Sequence, residues 1–177
     1  MAPGAFYKLI SMQASINELH LLPDDTEGIN LYGKPEGTYP WQQELARFTC
    51  LNHLYLSPSF AEDLQDIFAS IDLSRLTSLG VHRRHQALQI LPVSLLSLEC
   101  DLTAAESQKI MLPTSLTSLK IDQGVINSDS PLRLPTSLRA LTLSTSSLPQ
   151  LEALMAFHTQ LTRLALSDTP FDLGKSS

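Results

Sequence analysis

His82, Asp101 and Asp122 come nearest, by type and spacing, to a set that could do chemistry in this chain. Two carboxylates beside an imidazole can bind a metal or share general acid–base work. No short motif joins the three; only stacking of repeats would bring them together. No open ligand set accompanies them, so the expectation is a scaffold with no catalytic residue, metal or cofactor. The like charges of Asp101 and Asp122 would instead attract a basic segment of a partner. Two cysteines complete the reactive side chains. Cys100 and Cys50 fall in different repeats and read as reduced packing residues, not as a disulfide framework.

His82-Arg83-Arg84-His85 is the only basic cluster. It is short and isolated in a chain of net charge −6. A nucleic-acid partner would want a basic stripe, so none is expected, and the cluster reads as a solvated loop. The same charge disfavours adsorption to anionic membranes. No stretch approaches the ~20 apolar residues of a membrane span. Met1 to Ile16 lacks the apolar run of a secretory signal. An intracellular, cytoplasmic setting is expected, with delivery into another cell as an effector left open.

These residues must be held by something, and one recurring phrase supplies it. The pattern apolar-x-x-apolar-x-apolar occurs at Leu51–Leu56, Leu76–Val81, Leu95–Cys100, Leu116–Ile121, Leu138–Leu143 and Leu161–Leu166. Self-similarity at this period marks a solenoid in which each repeat gives one short strand. Side chains alternate along a strand, so the fourth and sixth positions point inward. The third, fifth and seventh point outward onto an open sheet face. Composition agrees: 43% of the residues are apolar and 34 of the 177 are leucine, ample for a continuous core.

Between the phrases the chain must return. Capping boxes at Ser59–Glu62 and Thr103–Glu106, and a related start at Ser147–Gln150, predict short helices. Gly124, Asn127 and Pro131 predict an irregular loop instead. Three returns close on Leu91-Pro92-Val93-Ser94, Leu112-Pro113-Thr114-Ser115 and Leu134-Pro135-Thr136-Ser137. Proline stops a helix and holds the preceding residue extended, so these are repeat punctuation. Residues 1–50 read as a divergent N-terminal cap, with 51–177 as the repeats. Within the cap, Ile16–Leu21 matches the phrase and is expected as a first strand. Trp41, Leu45 and Phe48 predict a core-facing helix.

The phrases and the Leu-Pro-x-Ser-Leu-x-x-Leu pattern resemble the leucine-rich-repeat family. The resemblance covers 51–171 and extends to 16 if the cap carries a repeat. It implies an α/β solenoid with a curved parallel sheet and short helices or loops on the convex side. The family's ninth-position Asn is replaced by Ser59, Arg84, Thr103, Gly124, Ser146 and Thr169. The closing pattern is similar to repeats of bacterial secreted effectors, and Gly124–Asn127 with Pro131 to an amoebal type; no subfamily is assigned. In this family function lies on the strand face and is set by the non-consensus residues.

On that face the N-terminal half carries the larger groups. They are His53, Tyr55, His82, Glu99, Asp101 and Asp122, with Lys120 beside them. The C-terminal half is mostly Ser, Thr and Ala. Aromatic and charged groups on a rigid sheet make an interaction patch. The expectation is therefore a non-enzymatic module that binds another protein through its concave face. The alternative is a structural or targeting part of a larger assembly, or of a secreted effector, motivated by the abrupt end after Phe171.

Overall fold

The computed structural model describes residues 12–34, 37, 39–57, 64–81, 91–102, 110–124, 132–143 and 160–166. Eight parallel strands pair in sequence order: β1 (Met12–Ser15), β2 (Gly28–Tyr32), β3 (His53–Leu56), β4 (Ser78–Val81), β5 (Ser97–Leu102), β6 (Ser118–Gly124), β7 (Ala140–Leu143) and β8 (Arg163–Leu166). The molecule is a parallel β-solenoid with few short helices. All six phrases become strands, in the register the sequence implies. Leu54 pairs with Leu79, Leu79 with Leu98, and Leu98 with Leu119.

The five strands β3 to β7 are each preceded by the same turn. The N–H of the phrase's first residue donates to the carbonyl three residues back: Leu51 to Phe48, Leu76 to Leu73, Leu95 to Pro92, Leu116 to Pro113 and Leu138 to Pro135. Proline precedes the strand in three of these turns, as its fixed φ permits. The serine of each Leu-Pro-x-Ser closes the turn onto the preceding repeat. Ser94 Oγ lies 2.8 Å from the carbonyls of Leu73 and Leu76. Ser115 reaches Val93 and Leu95, and Ser137 reaches Leu116. The recurrent prolines and serines thus have a structural role.

The N-terminal region departs from expectation at one place. Ile16–Leu21 is a 3-10 helix, not a strand. In a 3-10 turn residues i and i+3 lie on one side. Ile16 and Leu19 satisfy that and are fully buried, while Leu21 is 69% exposed. As a strand, the segment would have buried both Leu19 and Leu21 on one face. The strands of this region lie on either side of it, at β1 and β2, and bring the sheet to eight rather than six or seven. β2 belongs to a disguised repeat, Thr26-Glu27-Gly28-Ile29-Asn30-Leu31, which starts 25 residues (51 − 26) before Leu51. Thr26 takes the first apolar position and is buried; its hydroxyl donates to the Pro23 carbonyl at 2.6 Å.

Helix α1 (Trp41–Ala46) follows β2, and α2 (Leu64–Ser70) follows β3. Trp41, Leu45 and Phe48 are buried, as is Ile67, so the two helices pack behind the sheet. The first capping box, at 59–62, and the segments 103–106 and 147–150 lie outside the described residues. Arg47 fastens the N-terminal layer. Its guanidinium donates to Asp24 at 2.8 Å and to the carbonyls of Leu19 and Leu22 at 2.7 and 2.6 Å. It also stacks 4.9 Å above the Phe48 ring.

The core is a set of columns running through the stack. Ile29, Leu54, Leu79, Leu98, Leu119 and Leu141 form one; Leu31, Leu56, Val81, Cys100, Ile121 and Leu143 form the next. Leu164 on β8 is only partly buried. Cys100 is fully buried, and neither Cys50 nor Cys100 is in a disulfide. Burying one leucine is worth about 1.5–3 kcal/mol, and truncating it also leaves a cavity. Leu119→Ala should therefore cost about 2–5 kcal/mol in denaturant melts. A loss below about 1 kcal/mol would contradict the register.

Candidate functional site

The open face of the sheet is built from alternate residues of β2 to β6. Gly28, His53, Ser78 and Ser97 follow one another across the strands in one outward column. Asn30, Tyr55, Gly80, Glu99 and Lys120 form the next. A groove of about 550 Å³ lies over β2–β5. Its walls include Asn30, His53, Tyr55, Ser78, Ser97 and Glu99, with Ile29, Leu54 and Leu79 in its floor. That volume falls in the range of ligand-binding clefts.

Tyr55 and Gly80 shape the groove together. They are direct partners across β3 and β4. The Tyr55 ring leans over Gly80 so closely that a Cβ there would lie 2.3 Å from Cδ2 and 2.9 Å from Cε2. No real Cβ sits at such a distance, so glycine at 80 is what lets the ring lie down on the sheet. Direct cross-strand neighbours are close enough for an aromatic ring to cover the next residue. The small side chains of Ser78 and Ser97 leave the adjoining space open.

Glu99 stands at the end of the groove and is held by Lys120 at 2.6 Å. The pair is partly exposed, so it is worth about 0–1 kcal/mol and serves to fix the carboxylate's position. His53 is half-buried. Burial holds its imidazole below the ordinary histidine pKa, and the Glu27 carboxylate offsets part of that effect. Neutral His53 therefore keeps a donor and an acceptor on the groove wall.

The structure thus brings His53, Tyr55 and Glu99 together, with Lys120 behind Glu99. Asp101 lies farther along β5. The register shifts between Cys100 and Leu102, where Leu102 pairs with Gly124. One residue, Asp101, therefore faces two, Asp122 and Gln123, and the expected straight column of Asp101 and Asp122 is broken by this bulge. Asp122 is described through its backbone alone. His82 and the cluster through His85 lie outside the described residues. Among the described residues, no three His, Cys, Asp or Glu side chains gather as a metal site would need. No described helix is long and apolar enough to cross a membrane.

Asn30, Ser78, Gly80 and Ser97 are among the groove residues that sequence reasoning did not name as site residues. Asn30 was hidden because Thr26 masks its repeat. The Leu22-Pro23 pair ahead of Thr26 carries the same punctuation as Leu91-Pro92 and would have revealed it. Gly80 is visible as the one glycine in an outward column of the six phrases, opposite the one tyrosine. The chain matches no protein-family model, and no curated protein or solved structure is significantly similar to it.

Two predictions follow from this geometry. Gly80→Ala should destabilise the fold by about 1–3 kcal/mol, because the ring has to move. In a Tyr55→Ala background the same change should cost nothing or stabilise slightly, since alanine suits a strand better than glycine. Equal losses in both backgrounds would contradict the close approach. The second concerns His53. The unfolded chain takes up the proton first as pH falls through about 6.5, so the contribution is full above that value and is lost below it. His53→Gln should flatten the slope of stability between pH 7 and 5.5. Asp72 acts in a separate window. The Ser74 hydroxyl and then its N–H hold the Asp72 carboxyl low. Its contribution is present above about pH 4 and lost below. An unchanged slope in His53→Gln would contradict the burial assigned to that ring.

Proposed function

We propose that this chain is a leucine-rich-repeat module that binds a partner protein through the N-terminal half of its strand face. It does so without catalysis. The observation that carries this reading is the groove over β2–β5, with Tyr55 laid across Gly80 as its wall. A rigid aromatic anchor beside a pre-formed cleft is the arrangement from which most binding energy is drawn at protein interfaces. His53, Glu99 and Lys120 surround it with fixed polar groups. The six phrases and the Leu-Pro-x-Ser punctuation support the family assignment. The acidic composition favours a protein over a nucleic acid as partner, in an intracellular setting.

The test compares variants in one capture and titration experiment. Tyr55→Ala should weaken binding of the captured partner about 30-fold, the loss of an anchor worth about 2 kcal/mol. Arg163→Ala, on the far half of the same face, and Gln65→Ala, on the opposite side in α2, should bind as the wild type does. Loss of affinity in Gln65→Ala with none in Tyr55→Ala would place the interface on the helical side and overturn the proposal.

A further inference from the structure

The chemistry of the groove selects among partner side chains, an inference that rests on the binding reading above. Asn30 sits beside Tyr55 in the register and lines the same groove. Its Oδ1 is buried and accepts no hydrogen bond from the described residues. A buried carbonyl oxygen is unfavourable until an N–H or O–H reaches it. The single full charge on the groove lining is the Glu99 carboxylate. Glu27 lies near enough for its negative charge to be felt at His53. Tyr55 adds an aromatic wall. The groove therefore offers a carboxylate whose charge Lys120 offsets in part, the further negative charge of Glu27 and a π surface, with the Asn30 amide beside them.

Each candidate side chain fares differently there. A carboxylate would meet Glu99 and Glu27 as like charges. An aliphatic chain would cover Asn30 Oδ1 without giving it a donor. A cation with several donors answers the negative charge and the π surface, and it can give Asn30 Oδ1 a donor when the amide turns outward. Between the two basic side chains, the guanidinium is planar, carries five N–H groups, stacks on aromatic rings and is more weakly hydrated than an ammonium. Glu99 keeps Lys120 as its partner, so the incoming cation meets a carboxylate already held in place.

We propose that the groove takes an arginine side chain from an extended segment of a partner protein. Its guanidinium lies against the Tyr55 ring and beside the Glu99 carboxylate, and it reaches Asn30 Oδ1 once that amide turns toward the groove. The arginine is the specificity-determining contact, and the rest of the segment follows the strand face.

The test titrates the full chain with N-acetyl-arginine amide. N-acetyl-citrulline amide, which keeps the shape without the charge, and N-acetyl-leucine amide serve as comparisons. The readout is the NMR shift of the Asn30 side-chain amide and the Tyr55 ring. The arginine compound should give saturable shifts at both residues, with an affinity at least about fivefold above either comparison. Added salt should weaken it. Asn30→Leu and Glu99→Gln should each lower the affinity about two- to tenfold, the range for one lost hydrogen bond. Glu99→Gln keeps the inference testable should Asn30→Leu fail to fold. The absence of saturable shifts at Asn30 and Tyr55, or equal binding of the citrulline compound, would overturn it. Saturation by the leucine compound alone would overturn the arginine inference while leaving binding on this face intact. Arginine binding in the groove with no effect of Tyr55→Ala on the captured partner would instead count against the proposed function.

Discussion

One carbonyl per repeat holds this molecule in register. The second residue of each phrase accepts two N–H groups from the next repeat. The Glu27 carbonyl takes Asn52 and His53, that of Asn52 takes Thr77 and Ser78, and that of Thr77 takes Leu96 and Ser97. Leu96, Thr117 and Arg139 repeat the arrangement, all at 2.8–3.0 Å. A carbonyl oxygen has two lone pairs, so both bonds are ordinary ones. At Thr77, Thr117 and Thr162 the hydroxyl adds a longer third contact of 3.1 Å to the same carbonyl. A slip of one residue would turn every leucine of a strand to the open face. The pair of hydrogen bonds before each of β3 to β8 opposes that slip at the point where pairing begins.

The groove is a consequence of that register. Tyr55 meets Gly80 because position five of one phrase must face position five of the next. Any other alignment would set the ring against a side chain. Ser78 falls beside His53 and Ser97 beside Ser78 for the same reason, and Glu99 falls beside Lys120. The site is thus made of residues that the repeat leaves unspecified, held by residues that it specifies. The bulge after Cys100 marks where this regularity ends on β5 and β6, and with it the neat columns.

Much of this was legible in the sequence, and the exceptions have physical causes. The six phrases gave their strands because period-two burial and a repeated turn point to the same answer at each copy. Ile16–Leu21 has the same letters, yet the spacing of Ile16 and Leu19 also suits one 3-10 turn, and Ser15 caps it by accepting from the Asn17 N–H. The phrase alone does not separate the two; the absence of a lead-in turn before Ile16 does. At β2 the error ran the other way. Thr26 can fill an apolar position because its hydroxyl is satisfied locally by Pro23, which a pattern of apolar letters does not register. The patch at His53, Tyr55 and Glu99 was readable from alternation alone. Its depth was not, because it depends on Tyr55 lying down over Gly80, a matter of side-chain direction.

The central claim is that the shared carbonyls hold one continuous in-register stack, from which the groove follows. Native-state hydrogen exchange tests it most directly, residue by residue. The paired amides of Asn52 and His53, Thr77 and Ser78, Leu96 and Ser97, and Thr117 and Ser118 should all be protected, exchanging only on opening of the stack. Rapid exchange at any one of these pairs, with its neighbours protected, would show the register broken at that repeat and contradict the account.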